Sequence, residues 1–95
     1  VSLPVLFHSD ARGDLEEVRK YFADRFSERN AEKYVVRIVS ACTSIGHAPH
    51  RGSVRKDIGP EIRSIGFEGR ITIIFRIQPE LVTILALLYA GRMPR

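Results

Sequence analysis

Apolar positions recur along this chain with two periods, three-to-four in the first half and two in the second. Leu3–His8 (LPVLFH) is short and apolar and predicts a strand. Ser9 or Asp10 can cap the helix that follows, on which Leu15, Val18, Phe22 and Phe26 share a face. Glu16 and Lys20 form an i,i+4 pair elsewhere on that helix, and Gly13 in its first turn costs about 1 kcal/mol relative to alanine. The run SERNAEK breaks the pattern, with Asn30 as cap. A second helix then carries Ala31, Val35, Ile38, Cys42 and Ile45 as one stripe. Gly46 ends it and Pro49 blocks its resumption. Two helices separated by so short a break predict an antiparallel hairpin.

Residues 47–61, HAPHRGSVRKDIGPE, read as a loop rich in glycine, proline and positive charge. After it come the strand IRSIGF, a turn at Glu68-Gly69, a strand over 70–77, a turn at Pro79 and a strand over 81–90. The expected order is β-α-α-β-β-β. This is a single α+β domain over 1–95, with the helical hairpin packed on one face of a largely antiparallel sheet.

The last strand raises a difficulty, because Leu81 to Ala90 is apolar at almost every position. Tight turns would set Phe67 opposite Arg70, Ile65 opposite Thr72, Arg63 opposite Ile74 and Glu61 opposite Arg76. They would also set Arg76 opposite Val82, Ile74 opposite Ile84 and Thr72 opposite Ala86. On that register Ile62, Ile71, Ile73, Phe75, Ile77, Leu85 and Leu87 face the helices. The other face carries Glu61, Arg63, Ile65, Phe67, Arg70, Thr72, Ile74, Arg76, Val82, Ile84, Ala86 and Leu88, an apolar floor with arginines set into it. No third helix is available to cover it. A patch this large exceeds what a soluble monomer usually exposes, so a second chain is expected there, either a different protein or another copy. A bent last strand with half its residues buried is a further alternative. A one-residue slip would reverse part of the assignment.

The net charge of +4 lies wholly in the second half. Residues 1–46 hold seven basic and seven acidic side chains, and residues 47–95 hold eight and four. Arginine outnumbers lysine twelve to three, which suits carboxylate or phosphate recognition and fits an acidic protein as well as a nucleic acid. The single cysteine excludes an internal disulfide. Its place on a helix stripe marks a core residue, and an intracellular, cytoplasmic protein is expected. No signal peptide is visible, the start at Val1 suggests that a few residues have been trimmed, and Leu81–Ala90 is far too short to span a membrane. His47 and His50, without a further cluster of ligands, make a poor metal site, so neither a metal nor a cofactor is expected.

Three stretches in this order, SDARGDLEEVRKYFADR after the first strand, PEIRSIGFEGRITIIFRI, and the closing VTILALLYAGR, resemble the RelE/ParE superfamily of bacterial toxins from type II toxin–antitoxin systems. The resemblance covers nearly the whole chain. The RSIGFEGR hairpin followed by IIFR looks more like the ParE branch, which implies a protein that inhibits DNA gyrase. It also implies neutralisation by a cognate antitoxin. Such a partner has a DNA-binding N-terminal region, through which alone the toxin would contact DNA, and a flexible segment that wraps the toxin. The antitoxin-binding set on the open face would be Arg63, Ile65, Phe67, Arg70, Ile74, Arg76, Val82, Ile84, Ala86 and Leu88.

The RelE branch implies the alternative, a ribosome-dependent messenger RNA endoribonuclease. Cleavage through the 2′-hydroxyl needs a base, an acid and charge stabilisation at the phosphate. Glu61 could be the base and Arg63 and Arg76 the stabilising cations, with Tyr89 and Arg92 at C-terminal positions that the nuclease branch uses. Against this, Glu61 facing Arg76 reads as a structural ion pair, and the loop before the strand offers one lysine, Lys56. No catalytic residue is assigned.

Overall fold

The computed structural model describes residues 2–89. Their order is β1 (Val5–Phe7), α1 (Ser9–Arg25), α2 (Glu28–Ile45), β2 (Ser53–Val54), β3 (Ile62–Phe67), β4 (Ile71–Ile77) and β5 (Val82–Tyr89). The strands form one sheet in the order β1-β5-β4-β3-β2. Only β1 against β5 runs parallel, so the sheet is mixed but largely antiparallel. The expected α+β architecture is observed. It gains the two-residue edge strand β2 inside the segment read as a loop, too short to show alternation.

The helices begin and end on local chemistry. His8 caps α1 through its ring, which accepts from the Asp10 N–H, and Ser27, rather than Asn30, caps α2 by accepting from the Asn30 N–H. Glu16 pairs with Arg19 instead of Lys20, and Arg19 reaches on to Glu28 at 3.0 Å, tying the two helices at their exposed side. Gly46 closes α2, and its missing side chain is required there. The Leu3 carbonyl occupies the space a Cβ would need, and the Leu3 N–H donates to the Gly46 carbonyl at 2.9 Å. The buried stripe of α2 is Ala31, Tyr34, Ile38, Cys42 and Ile45, with Tyr34 in the place expected for Val35. On α1 it is Ala11, Asp14, Val18 and Phe22, whereas Phe26 is 59% exposed at the helix end.

The sheet register departs from the expected one at both hairpins. Phe67 pairs with Ile71, not Arg70, because the loop holds three residues. Glu68 and Gly69 both have positive φ, 53° and 70°, which the primed hairpin turns require, and the Arg70 N–H bonds the Phe67 carbonyl at 3.1 Å. The Arg37 guanidinium forks onto the Glu68 carboxylate at 2.9 and 3.0 Å, holding the one non-glycine residue in this left-handed conformation among the described residues. The extra loop residue moves Ile65 and Phe67 to the helix face, where they pack against the core.

In the second hairpin Ile77 pairs with Val82 and Phe75 with Ile84, but Ile74 pairs with Ala86. Leu85 is therefore the extra residue of a β-bulge. The bulge reverses the alternation of β5 part-way, so that Val82, Ile84, Leu87 and Tyr89 all face the helices. Val82, Ile84 and Leu87 are fully buried there. The carboxylate of Asp14, itself buried on α1, accepts the Leu87 N–H at 3.0 Å and so anchors the backbone just past the irregularity. The dense apolar run in β5 thus arises mainly from a strand that changes parity while keeping the same face covered.

Candidate functional site

The face of the sheet turned away from the helices holds Leu6 of β1, Thr83, Ala86 and Leu88 of β5, Thr72, Ile74 and Arg76 of β4, and Ile62, Ser64 and Gly66 of β3, as the pairings require. Ile62 and Ile74 are buried and stand apart from the main core cluster. The backbone at Gly59 lies against Ile62, so the loop before β3 folds over this end. Toward β5 the face opens: Thr72, Thr83, Ala86 and Leu88 are half-buried, and Leu6 is 54% exposed.

Six of the ten residues expected here lie elsewhere. Val82 and Ile84 are fully buried in the core, and Ile65 and Phe67 pack against it from β3. Arg70 turns back over the Phe22 ring, 6.0 Å from its centroid, at the helix side. Arg63 pairs with Phe75, which puts it on the helix-facing side, and its Nη1 donates to the carbonyls of His50 at 3.0 Å and Gly52 at 3.4 Å. For Ile65, Phe67, Arg70 and Arg63 the cause is the added residue of the β3–β4 loop; for Val82 and Ile84 it is the four-residue connection 78–81, which sets Val82 opposite Ile77. Ile74, Arg76, Ala86 and Leu88 remain on the bare face.

The same slip separates the groups considered for RNA cleavage. Arg76 keeps Glu61 as neighbour, with Nε to Oε2 at 3.6 Å, near enough to attract but too long for a hydrogen bond. Its Nε is buried with no hydrogen-bond partner among the described residues. Arg63 is on the opposite face and acts as a clasp for the 47–52 loop. Tyr89 also faces the helices, its ring 5.4 Å from that of Tyr21. Arg92 lies outside the described residues. His47 and His50 are exposed, and no three His, Cys, Asp or Glu side chains gather into a metal-binding group among the described residues. Cys42 is fully buried, and burial pushes its thiol up to about 12, so it stays protonated. No helix among the described residues is long and apolar enough to cross a membrane.

The described residues also form a concavity that the strand pattern did not reveal. At the closed end of the helical hairpin, Phe22 and Phe26 of the first helix and its cap, Asn30, Lys33, Tyr34 and Arg37 of α2, and Glu68 and Arg70 of the β3–β4 turn line a cleft of about 320 Å³. The Tyr34 ring stacks on Phe22 at 4.3 Å between centroids, and Arg37 covers it at 5.0 Å. The Tyr34 hydroxyl is buried and has no hydrogen-bond partner among the described residues. Burial raises its pKa above the usual 10.0; the nearby Glu68 adds to the rise, and Arg70 and Arg37 oppose it. A sequence signal for Tyr34 did exist. A step of three from Ala31 and a step of four to Ile38 both meet at it.

Comparison with known proteins places these features. Residues 5–94 match the family model described as ParE toxin of type II toxin–antitoxin system, parDE. Among solved structures, a chain of the chromosomal ParDE toxin–antitoxin system from P. aeruginosa superposes with a TM-score of 0.80 at 19% identity, covering 93% of this chain and 96% of that one. A chain of the toxin–antitoxin complex RelBE2 from Mycobacterium tuberculosis gives 0.71 at 20% identity, covering 97% and 95%. No curated protein matches. At these identities the two structures establish the common fold. The family model spans nearly the whole domain, including the helical hairpin and the strands β3 to β5, and the chain belongs to the ParE toxin family of type II toxin–antitoxin systems.

Proposed function

We propose that this toxin inhibits DNA gyrase in the cytoplasm and is held inactive by a cognate antitoxin. The antitoxin docks across the bare face of the sheet, on Leu6, Ile74, Arg76, Ala86 and Leu88. The observation that carries the reading is the ParE family match over residues 5–94. The solved relatives come from a ParDE system and a RelBE2 toxin–antitoxin complex, which supports a protein partner for this chain too. The bare face is mixed in character, with exposed Leu6, half-buried Ala86 and Leu88 and buried Ile74 around an arginine. This suits an ordering segment that supplies both an apolar ridge and an acidic group. DNA is reached only through the antitoxin's own DNA-binding region.

The ribonuclease alternative has one observation in its favour, the buried and unbonded Arg76 Nε beside Glu61. It lacks a second cation at the same point, because Arg63 is on the other face and already bonded to two carbonyls. A transition-state phosphate would therefore meet one guanidinium there, half of the expected pair.

A supercoiling assay with purified toxin tests the proposal. Gyrase should lose supercoiling activity as toxin is added and regain it with the antitoxin. Gyrase that is untouched, together with translated messages that are cut, would replace the proposal with the alternative.

A further inference from the structure

The cleft at the closed end of the hairpin is chemically unlike the bare face of the sheet. Its floor is aromatic, Phe22 stacked with Tyr34, and its lip is the 59%-exposed Phe26. Its wall holds three cations, Lys33, Arg37 and Arg70, and one carboxylate, Glu68, a balance of +2. Arg37 is committed to Glu68 by two hydrogen bonds. Within the same wall Tyr34 is only 4% exposed, and its hydroxyl has no hydrogen-bond partner among the described residues. Glu68, Arg70 and Arg37 line the cleft together with Tyr34. A buried donor without an acceptor is a cost that a folded protein rarely carries without a use.

We propose that this cleft receives a carboxylate-bearing residue from an acidic, apolar-anchored segment of a protein partner. The Tyr34 O–H donates to the carboxylate, Arg70 and Lys33 neutralise it, and a neighbouring aliphatic or aromatic side chain packs on Phe22 and Phe26. A buried hydroxyl and a guanidinium over an aromatic floor favour one oxyanion next to an apolar group. A nucleic acid would present a row of phosphates, and Glu68 in the wall opposes so dense a polyanion. The assignment of the occupant to a partner protein rests on the toxin–antitoxin reading above; the chemistry of the cleft does not.

The probe is 3-phenylpropionate, which carries a carboxylate and an apolar ring, titrated into the full chain and followed by the amide and Tyr34 ring signals in NMR. Saturable shifts at residues 30–37 and 67–70 are expected, with a dissociation constant on the order of millimolar for so small a ligand. The neutral isostere 3-phenylpropionamide should bind about tenfold more weakly or not at all. Tyr34→Phe, which removes one oxygen, should weaken the acid by about fivefold. A native-like spectrum of the variant confirms that it folds. Equal shifts from acid and amide, no shifts at these residues, or tighter binding of a short oligoribonucleotide would each overturn the cleft chemistry.

A second measurement addresses the occupant. Lys33→Glu combined with Arg70→Glu should weaken the complex with the polypeptide encoded beside the toxin gene by about 100-fold. If that complex forms and is indifferent to the double variant, the partner's segment does not use the cleft. If 3-phenylpropionate binds as described but no complex forms with any variant, the two-protein reading fails while the cleft chemistry is upheld.

Discussion

The two faces of this one sheet are built from the same three long strands and have opposite characters. Toward the helices, Ile71, Ile73, Phe75, Val82, Ile84 and Leu87 are each 2% exposed or less. Away from them Ile62 and Ile74 are buried, but Thr72, Arg76, Thr83, Ala86 and Leu88 remain half-buried, and Leu6 is open. A regular β5 could not produce this contrast, since strict alternation would send either Val82 and Ile84 or Leu87 and Tyr89 to the wrong side. One extra residue, Leu85, lets four large side chains share the covered face. It leaves Ala86 and Leu88 as the main apolar contribution of β5 to the bare one. What looks like a strand greasy on both sides is a strand whose parity changes in its middle.

Truncation on the two faces compares them directly. Ile84→Ala removes a fully buried side chain from the core and should cost about 2–5 kcal/mol in urea unfolding. Leu88→Ala acts on a half-buried position and should cost less than about 1.5 kcal/mol, a smaller loss because less surface is exposed by it. Its larger consequence is expected in weakened antitoxin binding. Equal stability losses at the two positions would mean that the second face is a core in its own right.

The bond that fixes the bulge ranks next. Asp14→Ala leaves the Leu87 N–H without its side-chain acceptor and should cost about 1–3 kcal/mol, with faster amide exchange concentrated at Leu87. A loss spread evenly over the molecule would point to α1 packing instead of to the bulge.

The two halves of the chain were not equally readable. On the helices, Ala31, Ile38, Cys42, Ile45, Val18 and Phe22 were legible as core because a stripe with a period near 3.6 tolerates a neighbouring residue standing in, as Tyr34 does for Val35. In the strands a single residue decides the face. Neither the third loop residue at Arg70, the four-residue connection 78–81 nor the bulge at Leu85 has a compositional mark, so the faces of β4 were placed correctly and those of β3 and of the first half of β5 were not. Arg76 and Leu88 kept their side, while Val82 and Ile84 proved to be core. The cleft around Tyr34 escaped the sequence because it is assembled from three separate segments, and no local spacing joins Phe22, Lys33 and Arg70. Family membership was legible for a different reason: the ordered set of segments survives a register error that changes which side chains point where.

The smallest expected effect lies at the rim joining the covered face to the β3–β4 turn. The hydrogen bond from Arg37, followed by its charge and that of Arg70, holds the Glu68 carboxyl below its ordinary value of 4.5. A carboxyl whose pKa is lowered by folding binds fewer protons in the native state than in the unfolded one. It contributes stability above the unfolded value and loses that contribution as pH falls through the lowered native value. Arg37→Ala should therefore be less stable than the parent at neutral pH, by an amount that is constant down to about pH 5 and shrinks on further acidification. A remainder should persist at low pH, because Arg37 also covers the Tyr34 ring at 5.0 Å and that contact does not titrate with Glu68. Added salt should reduce the titrating part, since both groups are exposed to solvent. Paired urea titrations from neutral pH into acid separate the two contributions. A difference that stays constant through the whole acid range would assign the role of Arg37 to its ring contact alone, leaving the left-handed Glu68 to be held by the geometry of the turn.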